Sequence, residues 1–209
     1  MNKIFTAATF LLFLTSLPTE AQAGGSRSTA SANDATGVGP FEGLRYEATL
    51  TSGVLFSPFL ATGGRPTINY TITEVQFGYM LSDVKGDGWS RGNFELVGEG
   101  FGSGIFEGDG SFISGVTVWL RYNFVPPGWR FVPFAQAGLG LTSTDIDHKI
   151  VGQPFNFNLE LGIGTRYLLS QHWSLNLEYR YQHISNADTG AHNIGINAHG
   201  PVLGVSYLF

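Results

Sequence analysis

Between Trp173 and His183 the chain alternates without a break: Trp173, Leu175, Leu177, Tyr179 and Tyr181 are apolar, while Ser174, Asn176, Glu178, Arg180 and Gln182 are polar. Successive side chains of a β-strand point to opposite faces, so this segment predicts a strand between an apolar medium and a polar one. Segments 116–124 and 157–167 repeat the pattern, and less regular versions run near 43–56, 67–81, 92–105, 131–142 and 199–209. Turn-forming stretches such as Lys85-Gly86-Asp87-Gly88, Gly108-Asp109-Gly110 and Pro126-Pro127-Gly128 separate them. The result is about eight strands. The register of 67–81 slips near Thr73, which predicts a bulge or a misplaced boundary there.

A soluble β-sandwich or lipocalin-like barrel also alternates, so the chemistry of the two faces has to decide. The polar faces carry Arg121, Glu160, Arg166, Glu178 and Arg180, opposite large aliphatic and aromatic residues. In a narrow membrane barrel such charges pair inside and the aromatics meet lipid. Aromatics also gather near strand ends, at Tyr122, Phe124, Tyr167 and Trp173, as interfacial girdles require. At the C-terminus Leu203, Val205, Tyr207 and Phe209 alternate to the last residue, an ending similar to the signal read by the outer-membrane barrel assembly machinery. The expectation is therefore all-β: an eight-stranded antiparallel transmembrane β-barrel. Its bore is only wide enough for side chains, and Gly138, Gly140, Gly162 and Gly164 fall at inward positions where they relieve crowding.

Composition narrows the cell biology. The 209 residues are 43% hydrophobic and 14% aromatic but only 13% charged, with a net charge of -5 and no basic cluster, so nucleic acid is a poor partner. The absence of cysteine excludes thiol catalysis, cysteine-ligated zinc and disulfides. Residues 1–23 combine Lys3, a short apolar run and the ending Ala21-Gln22-Ala23, which reads as a cleaved signal peptide. Residues 24–40 are small and polar and read as a flexible leader, leaving 41–209 as the barrel. Beyond the leader no apolar run approaches the roughly 18 residues of a membrane helix.

With both termini in the periplasm, the connection between strands seven and eight lies outside the cell. His183 and Ser185 share the lipid-facing parity of Trp173 and Tyr181, so two polar residues interrupt an apolar face at the outer-leaflet rim. Asn197 and His199 share the outward parity of Val205 and Phe209, which allows Asn197 to lie beside His183 across the strand pair. A serine hydroxyl is a weak nucleophile until a base takes its proton, and the base needs a third group to fix its tautomer. Ser185, His183 and Asn197 are the candidates for those roles. Ester cleavage also needs oxyanion donors, which Asn186 or a backbone amide within 186–188 can supply.

The run His183-Ile184-Ser185-Asn186-Ala187, followed by Asn193-Ile194-Gly195-Ile196-Asn197, resembles the outer-membrane lipid A 3-O-deacylases of the PagL type, the acyloxyacyl hydrolases. The resemblance implies an eight-stranded barrel and a serine esterase acting on lipid A of lipopolysaccharide. It implies Ser185 as nucleophile, His183 as base, Asn186 as oxyanion support and Asn193 as a positioning residue. The chain departs from the family at Asn197, where the family has glutamate, and at Asp188, where it tends to have glycine. An amide can accept the imidazole N–H, but it brings no charge to stabilise imidazolium.

Other signals carry less. His183, His192 and His199 lack short metal-ligand spacing, so neither metal nor cofactor is expected. Asp83–Gly88 fails as a calcium loop because Lys85 and Phe94 stand where ligands belong. Gly98-Glu99-Gly100-Phe101-Gly102-Ser103-Gly104 lacks dinucleotide spacing and reads as a bent strand open to an acyl chain. Asp145-Ile146-Asp147-His148 is assigned no role. The rival reading is a non-catalytic small barrel that stabilises the envelope or binds surface ligands.

Overall fold

The structure is a computed structural model that describes residues 41–57, 66–190 and 192–209. The signal peptide and leader lie outside the described residues. The alternating segments form β1 (Tyr46–Leu55), β2 (Asn69–Met80), β3 (Gly92–Glu107), β4 (Phe112–Phe124), β5 (Phe131–Thr144), β6 (Phe155–Leu168), β7 (Trp173–Ser185) and β8 (Ile196–Leu208). Each pairs antiparallel with the next, and β8 pairs with β1 to close the barrel. Closure leaves no sheet edge, which is what lets strands cross hydrocarbon without unpaired backbone groups. Among the described residues no helix is long and apolar enough to cross a membrane. A single turn of helix, α1 (His148–Val151), lies between β5 and β6.

The exterior is apolar. Val75, Val116, Val118, Leu139, Leu141, Leu161, Ile163, Leu177 and Leu203 are all exposed on the outer wall. Aromatic rings gird both ends. Tyr46, Phe77, Tyr79, Trp173, Tyr207 and Phe209 are in mutual ring contact at the end that holds Phe41 and Phe209, and Phe56, Phe106, Phe112, Phe155 and Phe157 are exposed at the other.

The bore is stratified. Its middle layer is ionic, with six glutamates and three arginines buried. Arg166 reaches Glu47 at 2.6 Å and Glu95 at 2.9 Å. Arg180 binds Glu74, meets Glu99 at 3.1 Å, Glu160 at 3.4 Å and Glu178 at 3.0 Å, and lies 4.6 Å over the Trp119 ring. Gly138 makes room for that ring, since a Cβ there would sit 2.7 Å from it. An apolar cluster closes each end of the bore. Phe41, Met80, Val125, Val132, Leu168 and Leu208 fill the end near Phe209. Leu55, Ile68, Tyr70, Ile72, Ile113, Ile146, Val151, Ile184 and Ile196 are among those that fill the other.

That second plug corrects the expected slip at Thr73. The in-and-out alternation of β2 is unbroken from Tyr70 to Met80, and Thr73 faces out. What changes above Glu74 is the lining of the bore, which turns from ionic to apolar, so Ile72 and Tyr70 point inward while Thr71 and Thr73 point outward. The irregularity lies earlier, between Asn69 and Tyr70 against β3. The glycines of Gly98–Gly104 lie on the outer face of β3, separated from β7 by β2, β1 and β8 around one side of the barrel.

Candidate active site

β7 and β8 form a hairpin in which His183 is the direct cross-strand partner of Asn197. β8 begins at Ile196, earlier than the 199–209 expected from alternation, so Asn197 is set by the ladder rather than by a loop. Parity puts Ile184 and Ile196 into the apolar plug, and this fixes Ser185, His183 and Asn197 on the opposite, outer wall. All three are half-buried. They stand at the end of the barrel away from Phe41 and Phe209.

The three side chains form one hydrogen-bonded chain. His183 Nε2 lies 3.0 Å from Ser185 Oγ, and His183 Nδ1 lies 2.6 Å from Asn197 Oδ1. If Nδ1 carries the proton, it donates to the amide oxygen and Nε2 is left with a lone pair facing the hydroxyl, as proton abstraction requires. Tyr181, two residues below His183 on the same face, donates its hydroxyl to the same Asn197 Oδ1 at 3.0 Å. Sequence reasoning missed this contact because Tyr181 completes the apolar alternation. The signal available was its place diagonal to Asn197, within reach of a long side chain.

Asn186 takes a different place from the one expected of an oxyanion donor. It is fully buried, its side-chain amide donates to the His192 carbonyl at 2.7 Å, and its backbone N–H donates to Asn193 Oδ1 at 3.2 Å. Asn193 in turn donates to Asp188 at 2.8 Å. The two asparagines therefore tie the turn after Ser185 to the returning chain. Within that turn Ala187 and Asp188 both adopt left-handed backbone, with φ of 51° and 60°. Such values are uncommon outside glycine and are held by the surrounding bonds.

A neighbouring loop braces the hairpin, a feature with no periodic signal in the sequence. The Ile150 carbonyl accepts the N–H groups of both Ile194 and Gly195 at 3.0 Å. Gly152, at φ 79°, approaches so closely that a Cβ would collide with the Asn186 amide and the His192 carbonyl. Gly195 lies against Ser185 and His183: a Cβ there would come 3.3 Å from Ser185 Cβ and 3.5 Å from His183 Cε1. The brace is anchored in its turn. Asp145 accepts from the Ser111 N–H at 2.8 Å, the Ser111 hydroxyl at 2.5 Å and the Phe112 N–H at 3.1 Å, which holds its carboxyl down at about 2. Asp109 accepts the Asp147 N–H at 2.6 Å.

The remaining histidines near this end are engaged separately. His199 bonds the Tyr179 hydroxyl, and His192 contributes its carbonyl to Asn186. Among the described residues no three His, Asp or Glu side chains gather as metal ligands.

A family profile described as lipid A 3-O-deacylase (PagL) matches residues 72–206, which includes both segments of the site. No curated protein matches the sequence. Among solved structures, the outer membrane enzyme PagL is similar at 15% identity and TM-score 0.54, covering 76% of this chain and 97% of its own. Neisserial surface protein A is similar at 16% identity and TM-score 0.58, covering 78% and 96%. The N-terminal β-barrel domain of Pseudomonas aeruginosa OprF is similar at 16% identity and TM-score 0.50, covering 79% and 98%. An enzyme and a surface protein fit about equally well, so the barrel alone selects no activity and the side chains on its wall must.

Proposed function

Because the chain belongs to the PagL family of lipid A 3-O-deacylases, we propose that it is an outer-membrane serine esterase that removes the acyl chain ester-linked at the 3-O position of lipid A. The observation that carries this reading is the outward-facing chain Ser185–His183–Asn197, bonded at 3.0 Å and 2.6 Å. In this reading His183 Nε2 takes the proton of Ser185 as Oγ attacks the ester carbonyl. The tetrahedral oxyanion is supported by the backbone turn 186–188, which Asn186 and Asn193 hold in place. Collapse expels the lipid A hydroxyl, which receives the proton from His183 and leaves an acyl-Ser185. Water activated by the same imidazole then releases the fatty acid. Asn197 holds the imidazole without supplying charge.

The outer wall suits the substrate. Exposed Phe157 and Leu159 of β6 pair with Ser185 and His183 on the outer wall, so a membrane-anchored ester reaches Ser185 laterally without leaving the bilayer. The site then sits at the outer-leaflet rim. Residues 1–23 act as the export signal and 24–40 as a leader before the barrel, and Phe209 is the residue offered to the assembly machinery.

Incubating the detergent-purified protein with lipid A and reading the products by mass spectrometry tests the proposal. The expected result is loss of one 3-O-linked acyl chain with the wild type and intact lipid with Ser185→Ala and His183→Ala. Identical spectra from all three proteins would leave the non-catalytic barrel as the better reading.

A further inference from the structure

Asn197 presents a problem that a carboxylate in its place would not. A carboxylate offers an acceptor oxygen whichever way it turns, whereas a carboxamide has an acceptor on one side and a donor on the other. With its oxygen toward His183 the amide fixes the proton on Nδ1 and leaves Nε2 free to act as a base. Turned by 180° it would donate to Nδ1, drive the proton to Nε2, and leave the Ser185 hydroxyl facing a group unable to accept from it. In a serine triad, holding the wrong tautomer costs as much as ~10⁴ in rate.

We propose that Tyr181 is the positioning residue that sets this orientation, on the reading of Ser185 and His183 given above. Its hydroxyl meets Asn197 Oδ1 at 3.0 Å, and His183 Nδ1 meets the same oxygen at 2.6 Å. A phenol is a stronger donor than acceptor, so it selects the carbonyl side of the amide. The oxygen has two lone pairs, and the two donors fill them. The half-buried setting on an apolar wall strengthens the selection, because a flipped amide finds little water there to bond the displaced oxygen. Tyr181 makes its contact on the amide, at Asn197 Oδ1. It acts through Asn197, and only because residue 197 is an amide.

Tyr181→Phe tests this in two backgrounds, with the aromatic body kept in place. In the native background the expected result is a fall in kcat of ~10-fold or more with KM nearly unchanged, since the tautomer and not lipid binding is disturbed. In Asn197→Asp, where no flip exists, the same substitution should cost less than ~3-fold. Equal losses in both backgrounds, or no loss in the native one, would overturn the proposal.

A second readout needs no turnover. The ¹⁵N shifts of the His183 imidazole, assigned by their absence from His183→Gln, should report a proton on Nδ1 in the native protein and a mixture of tautomers in Tyr181→Phe. An unchanged tautomer in Tyr181→Phe would likewise overturn it. Should the native protein leave lipid A intact, the proposed reaction falls while the imidazole spectrum still decides the role of Tyr181.

Discussion

His183 and Asn197 face each other directly across the β7–β8 ladder, and the imidazole Nδ1 stands 2.6 Å from the carboxamide oxygen. Register therefore positions the base and its partner more firmly than any loop does. In the proposed reaction the weakness lies in the neutral amide, which cannot stabilise the imidazolium formed as Ser185 attacks. Asn197→Asp, of nearly the same shape, should raise kcat by ~10-fold, well inside the ~10⁴ that separates acid from amide in a serine triad. Asn197→Leu should nearly abolish turnover. Rates of acyl release from lipid A check both, and an inactive but folded Asn197→Asp would show that another group orients His183.

Gly152→Ala should act at a distance. The new methyl strains a left-handed backbone and strikes the Asn186 amide and His192 carbonyl, pushing the β7–β8 connection off its brace. Displacements of about 1 Å at a catalytic group can cost ~10²-fold, and a loss of that size in kcat/KM is expected with little change in the urea midpoint. Full activity in this variant would show that the Ile150 carbonyl and its loop are dispensable.

Arg180→Met should damage the barrel itself. Removing that guanidinium leaves Glu74, Glu99, Glu160 and Glu178 without their shared cation in the bore. Breaking a buried ion pair on one side costs about 3–5 kcal/mol, which urea unfolding in micelles would measure. A loss within experimental error would mean that the surrounding carboxylates reorganise freely.

Acid should loosen the cap before it harms the wall. Asp145 ionises at about 2 in the folded chain, below the ordinary 3.8, because the Ser111 hydroxyl and backbone N–H bond its charged form. A carboxyl whose value is lower when folded contributes stability above the unfolded value and loses it as pH falls through the folded one. The clamp between Asp145 and Ser111 should therefore be complete above pH 3.8 and fail toward about pH 2. Amide exchange at Ser111 and Phe112 should accelerate in that window, and Asp145→Asn should exchange fast throughout.

Particular strands explain what could be read from sequence. β7 was legible because lipid outside and ions inside impose opposite chemistry on alternate residues, and that alternation also carried Ser185 and His183 to the outer wall. Thr73 reads as a slip only where polar residues are assumed to face inward along the whole strand. Toward the plug both faces lose that contrast, since Ile72 and Tyr70 fill the bore while Thr71 and Thr73 face out. Asn197 was legible once register was assumed, whereas Ile150 and Gly152 were not. Loop-to-loop contacts follow no period, and nothing in 145–154 distinguishes a brace from a solvated turn. Asn186 shows the same limit: its type fits an oxyanion donor, but its burial depends on a neighbour distant in sequence.

The two apolar plugs at the ends of the bore also constrain traffic. With Phe41 and Leu208 at one mouth and Ile146 and Ile196 at the other, apolar side chains of the described residues fill both ends of the bore. In the proposed reaction the fatty acid is therefore released on the outer wall, against lipid, and not into the bore.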